Sequence, residues 1–207
     1  VHSAIVDKPL WDAGQAVLAE NRCARATRVN TKEPSLLTGV LFDETGERLT
    51  PTWSVKKGTR YRYYVSTSLV TGDNATRSPR RRIPAGNLEA IVIDRLRTFF
   101  SNRGELLDAI DGEYPDKTGP GHVINRGRQI AEELGQTPGK TKAIIMTLVC
   151  RVEVRSDRFK IDISRGRLAG LLAASSADLL AQQQKRPNSS ERFITLTAPA
   201  QLKRIGR

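Results

Sequence analysis

The residues best placed for chemistry are cations with tyrosines between them. Residues 48–82, RLTPTWSVKKGTRYRYYVSTSLVTGDNATRSPRRR, hold nine Lys or Arg and one acid, Asp73. Three of the chain's four tyrosines, Tyr61, Tyr63 and Tyr64, sit in the middle of this stretch. Arg and Tyr alternating at period two predict a strand with Arg60, Arg62 and Tyr64 on one face and Tyr61, Tyr63 and Val65 on the other. A ribbon that is cationic on one side and partly aromatic on the other suits a phosphate backbone. Lys56, Lys57, Arg60 and Arg62 are the candidate phosphate-neutralising residues. Tyr61, Tyr63 or Tyr64 can donate to a phosphate or pack beneath it, and Tyr64 shares the arginine face. Arg80, Arg81 and Arg82 read either as an arm lying in a groove or as a solubilising loop.

Other chemistries are short of material. His2 and His122 are the only histidines, and neither has a ligand partner nearby in sequence. Cys23 and Cys150 form no CxxC pair and no disulfide framework, a usage that suits a reducing compartment. No metal and no cofactor is expected. Ser3, Ser35 and Ser54 suggest no nucleophilic triad, Asp43/Glu44 reads as a turn, and Glu132/Glu133 reads as a solvated helix face. No catalytic residue is assigned. Gly135-Gln136-Thr137-Pro138-Gly139-Lys140-Thr141 ends like a phosphate-binding loop, but its first glycine stands one place too close and helix precedes it where a strand is needed. Residues 128–135 followed by 137–146 have the outline of a helix-turn-helix, with Lys140 and Lys142 toward a groove. The apolar Ile144-Ile145-Met146 in the second helix favours a structural helix pair instead.

Composition points the same way. The 207 residues carry 34 Lys or Arg against 22 Asp or Glu, a formal charge of +12, which attracts polyanions. Nucleic acid is the first such partner and an anionic membrane surface the second. No segment approaches the roughly 18 apolar residues of a membrane span. With nucleic acid as the first choice, no membrane partner is expected.

The elements that position these residues are α+β in pattern. A short N-terminal helix is predicted over 7–22, with Asp7 as its cap and Pro9 in its first turn. A basic linker follows over 23–35. Strands are predicted over 36–42, 48–52 returning antiparallel, and 60–66, with turns at 43–46 and 56–59. A polar loop spans 71–82. Leu88, Ile91, Val92, Leu96 and Phe99 fall at helical spacing, opened by Pro84 and Asn87. Shorter helices follow at 105–110, at Val123 to Leu134 stopped by Gly135, and from Pro138 to about Leu148. The period then returns to two. A hairpin is expected from 150–155 and 159–163, then a helix at 165–174, a Ser/Gln/Asn-rich loop at 175–191 and a last strand at 193–197.

Taken in order, these pieces resemble the C-terminal part of bacterial serine recombinases, the larger relatives of resolvases and invertases. VHSAIVDKPLWDAGQAVLAENR is similar to the end of that family's recombinase domain. SLLTGVLFDETGERLTPTWSVKKGTRYRYYVS is similar to its zinc β-ribbon, and IPAGNLEAIVIDRLRTFF to the helix that follows. CRVEVRSDRFKIDIS and FITLTAPAQLKRIGR are similar to its late β segments. The resemblance implies that residues 1–22 end a truncated DNA-binding domain and that 23–35 link it onward. Residues 36–207 would then be a zinc-ribbon-like β domain with a helical insertion at 84–149 and a late β-hairpin. Asp43 to Thr45 and Ser66 stand where the family has paired cysteines, so a metal-free ribbon is expected. Its stability should then rest on Tyr61, Tyr63 and Trp53 packing against later elements. Residues 150–163 and 193–197 should join the sheet of residues 36–66.

The function implied is double-stranded DNA binding, as the target-recognition part of a site-specific serine recombinase in the bacterial cytoplasm. The family's nucleophilic serine has no counterpart here, and Val1 to Val6 read as the middle of a longer polypeptide. Self-association with other recombinase subunits, through the helices of 88–149, is the alternative from the resemblance. An autonomous helix-turn-helix regulator is the alternative from the residues.

Overall fold

A computed structural model of the chain describes residues 34–72, 81–110, 119–173 and 192–199. The chain divides into two compact units, Val1–Pro34 and Ser35–Arg207. The expected N-terminal helix and nearly all of the linker lie outside the described residues, as do Arg80 and most of the two polar loops.

The second unit is α+β. Its strands are β1 (Leu41–Asp43), β2 (Leu49–Lys56), β3 (Thr59–Ser66), β4 (Arg82–Pro84), β5 (Val149–Val154), β6 (Arg158–Ser164) and β7 (Phe193–Pro199). Its helices are α1 (Thr67–Thr71), α2 (Ala85–Ser101), α3 (Arg103–Ile110), α4 (Pro120–Glu133), α5 (Pro138–Leu148) and α6 (Arg165–Ala173). The helical spacing read from Leu88, Val92, Leu96 and Phe99 is the buried stripe of α2. Proline opens both α4 and α5, where its missing N–H costs nothing. Gly127 lets α4 approach its neighbours closely. A Cβ there would fall 2.5 Å from the Leu106 side chain and 3.0 Å from the Phe100 carbonyl oxygen.

The strands form two sheets rather than the single extended one expected. One has the order β1-β5-β6-β7, and the other β2-β3-β4. β5 runs parallel to β1, while β6 and β7 continue antiparallel. The late strands therefore build on β1 and leave the ribbon free. The first strand is also shorter than predicted, because residues 36–40 form a turn with Gly39 at φ +89°. The physical reason is that adjacent Leu36 and Leu37 are both buried, which strand alternation forbids on one face. Their N–H groups bond to the side chains of Glu89 and Tyr64 instead of a ladder. Residues 48–52 return as predicted, but they pair with β1 only through the isolated Phe42–Arg48 bridge, and β2 pairs with β3 along its whole length. α1 and β4 were not foreseen in the sequence.

Burial favours the structural helix pair over the helix-turn-helix alternative. α5 turns Ile144, Ile145 and Leu148 into the core, and Lys142 is buried with them. Desolvation lowers the Lys142 pKa below the usual lysine range. Of its two groove-facing lysines, Lys140 remains exposed. α5, the helix that would have to enter a groove, is thus mostly committed to the core.

Candidate nucleic-acid interface

The ribbon is the hairpin of β2 and β3, closed by a two-residue turn. Lys56 pairs with Thr59, leaving Lys57 at φ +49° and Gly58 at φ +77°. Two positive φ angles are what a type I′ turn requires, and its twist matches that of the strands. The register places Val55 opposite Arg60, Trp53 opposite Arg62 and Pro51 opposite Tyr64. Trp53, Val55, Arg60, Arg62 and Tyr64 thus share one face. Ser54, Lys56, Tyr61 and Tyr63 share the other, joined by Arg82 from β4, which pairs with Val65.

The decisive gradient runs along these strands, not across them. From turn to base, β3 passes from exposed Thr59, Arg60 and Tyr61, through half-buried Arg62 and Tyr63, to buried Tyr64, Val65 and Ser66. Tyr64 is 0% exposed, so the expectation that it meets a phosphate is corrected: it belongs to the core. Its hydroxyl donates to Glu89 Oε1 at 2.8 Å and accepts the Leu37 N–H at 2.9 Å. The same Glu89 oxygen accepts the Leu36 N–H at 2.9 Å. The Arg62 guanidinium reaches both Glu89 oxygens at 3.3 Å. Burial first, and the adjacent Glu89 carboxylate second, raise the Tyr64 pKa far above the usual phenol range. Arg62 is therefore a strut between ribbon and helix α2, with its charge already matched.

Arginines 81 and 82 are held differently. Arg81 pairs with Glu44 at 2.6 Å, and its backbone exchanges hydrogen bonds with Ser66. Arg82 lies over the Tyr63 ring at 4.0 Å and reaches Ser54 Oγ at 3.5 Å. Arg80 lies outside the described residues.

The tip holds what remains. Lys56, Lys57 and Arg60 are exposed, and among the described residues no ion pair engages them. Between Arg48 and Gly72 the sequence contains no acid. Trp53 is 61% exposed, Val55 66% and Tyr61 45%, so Trp53 and Tyr61 do not provide the packing expected of them. The Arg60 guanidinium lies 4.5 Å from the Trp53 ring centroid. Cationic and apolar groups are thus exposed together at this end of the hairpin.

Where the resemblance would place metal ligands, hydrogen bonds close the ribbon's base. Asp43 Oδ1 accepts from the Thr45 N–H and hydroxyl and from the Glu47 N–H. Glu47 Oε1 accepts the Ser68 N–H at 2.7 Å, and the Arg48 carbonyl accepts the Thr67 N–H and hydroxyl. Ser66 Oγ accepts the Arg81 N–H. These residues do not fit a zinc centre: no thiol or imidazole is among them, and among the described residues no group of three His, Cys, Asp or Glu side chains comes together that could hold a metal ion. Sequence reasoning missed Glu89, which bears most of the base. The signal available was an acid among the apolar positions of an otherwise amphipathic helix.

No family profile matches the sequence, and no curated protein matches it. Among solved structures, the chain is similar to a crystal structure of an LSR–DNA complex, with a TM-score of 0.41 and 13% identity over 78% of this chain. The match spans 65% of that structure's chain. A likeness this distant carries no functional weight. No helix of the described residues is long and apolar enough to cross a membrane.

Proposed function

We propose that this chain binds double-stranded DNA through the tip of the β2–β3 ribbon, as the target-recognition part of a site-specific serine recombinase. The observation that carries the reading is the tip itself. Lys56, Lys57 and Arg60 stand exposed, unpaired among the described residues, on a segment with no acid in its sequence. A duplex releases condensed counterions when such cations meet its phosphates, and that release supplies most of the sequence-independent affinity. A two-stranded ribbon also matches the width of the major groove. The recombinase assignment is supported by the sequence resemblance, which runs through most of the chain in order. No residue here is assigned a catalytic role.

The subunit-contact reading of helices 88–149 has less support, because Leu88, Val92, Val123, Ile130 and Ile145 turn their apolar surface into the core.

The test is the salt dependence of duplex binding by wild type and by Lys56→Ala/Lys57→Ala. Each phosphate left without its cation takes about 0.9 from the slope of log K against log salt, so the double variant should be shallower by about two. An unchanged slope would sink the ribbon assignment. Both side chains are exposed, so the unfolding curve should stay within about 0.5 kcal/mol of wild type.

A further inference from the structure

We infer that Arg60 reads a guanine in the major groove, and that Trp53 is the positioning residue that aims it. This rests on the DNA-binding reading above and names the contact that would give it sequence preference.

The arginines of the ribbon are not equivalent. Arg62 is matched by Glu89, Arg81 by Glu44, and Arg82 is spread over Tyr63 with a hydrogen bond to Ser54. Arg60 alone of the four has neither a carboxylate nor a hydrogen-bond acceptor among the described residues. What it has is a plane: its guanidinium lies 4.5 Å from the Trp53 ring centroid. A guanidinium held over an aromatic ring spends none of its N–H donors on an acceptor, so they stay available to a base edge. Guanine offers two acceptors, N7 and O6, side by side on its major-groove edge, the spacing that a fork of two N–H groups fits.

The surroundings agree with that placement. Residues 52–56 and 59–63 extend the ribbon by four steps of about 3.3 Å, roughly 13 Å, enough to reach the floor of a groove about 8.5 Å deep. Val55, directly opposite Arg60 and 66% exposed, offers an apolar contact of the kind that suits a thymine methyl group. Lys56 and Lys57 sit at the turn, where compact charges on flexible stems suit phosphates rather than base edges. An Arg–Trp stack that only stiffened the tip would alter stability or overall affinity. It would not alter the preference for one base over another.

The experiment selects binders from a randomised duplex library with the full chain, in wild type, Arg60→Ala, Arg60→Lys and Trp53→Leu. The affinity for the enriched duplex and for its single-base variants is then measured, together with the salt slope. Wild type should enrich a motif with an obligatory guanine, and replacing that base pair should weaken binding by about tenfold to a hundredfold. Arg60→Ala should lose that discrimination, and Arg60→Lys should recover only part of it. Trp53→Leu should reduce the discrimination while leaving the salt slope unchanged. If Arg60→Ala or Arg60→Lys keeps the wild-type preference at that base, the inference is overturned. It is also overturned if wild type binds duplexes with no guanine requirement, an outcome that leaves the DNA-binding reading standing. Failure of wild type to retain any duplex would sink both.

Discussion

The two ends of one hairpin put the same residue types to opposite uses. At the base, Arg62 and Tyr64 are drawn into a closed cluster with Glu89 and the N–H groups of Leu36 and Leu37. At the tip, Arg60 and Tyr61 face outward beside Trp53 and Val55. What separates them is the approach of helix α2 and the 36–40 turn. Where a carboxylate is at hand, a basic aromatic strand becomes structure. Where none is, it remains available to a polyanion. The difference shows that a charge pattern is not itself an interface: the same alternation supplies a core tyrosine and, four residues away, an arginine with no ion-pair partner among the described residues.

The sharpest way to break this comparison is at Glu89. Glu89→Ala removes the acceptor for Tyr64, Leu36 and Arg62 together and takes the Glu89 carboxylate away from a half-buried guanidinium. Loss of one partner of a buried pair costs about 3–5 kcal/mol, read as a fall in the urea midpoint. The matching substitution at the tip, Trp53→Ala, should cost under about 0.5 kcal/mol beyond its stack with Arg60. Equal losses at the two positions would mean that tip and base are one structural unit.

A smaller effect, and one with a pH signature, is expected at Tyr64. Tyr64→Phe removes a hydroxyl that donates once and accepts once in the core, at a cost of about 1–3 kcal/mol near neutral pH. The folded-state pKa of Tyr64 is raised, so the folded state holds this proton more tightly than the unfolded chain does. Its contribution is therefore fully present below the unfolded value of about 10 and is lost as pH rises above it. The gap between wild type and Tyr64→Phe should narrow as pH climbs from 8 to about 11 in urea titrations. Lys142, also shifted, is common to both proteins and cancels in the difference. A gap that stays constant would mean that the hydroxyl is not buried in solution.

Much of this frame was legible in the sequence, for identifiable reasons. The helices were readable because Leu88, Val92, Leu96 and Phe99 recur at one period and because Pro138 and Gly135 mark ends, although the helix before Gly135 opens at Pro120 rather than near Val123. The hairpins were readable from their turns, Lys57-Gly58 and Ser156-Asp157. Which sheet the late strands join was not readable, because pairing β5 with β1 depends on a contact between residues more than a hundred positions apart. The site divided in the same way. Exposure of Lys56, Lys57 and Arg60 follows from their place at a turn, whereas burial of Tyr64 depends on Glu89, twenty-five residues later. Periodicity assigns a side chain to a face; it does not say which end of that face a distant helix will cover.

The finest separation of tip from base lies in the turn. Lys57 adopts φ +49°, a region costly to a residue with a Cβ and open to glycine. Lys57→Gly relieves that strain but adds backbone freedom to the unfolded chain, so the net gain should be about 0.5 kcal/mol, or roughly 1–2 °C in Tm. The same change removes one exposed cation, and the salt slope of duplex binding should become shallower by about one. Stability and binding would then move in opposite directions from a single side chain. That result is possible only if the turn serves a ligand at some expense to the fold. A variant both less stable and unchanged in salt dependence would place Lys57 with Tyr64, as part of the structure rather than the surface.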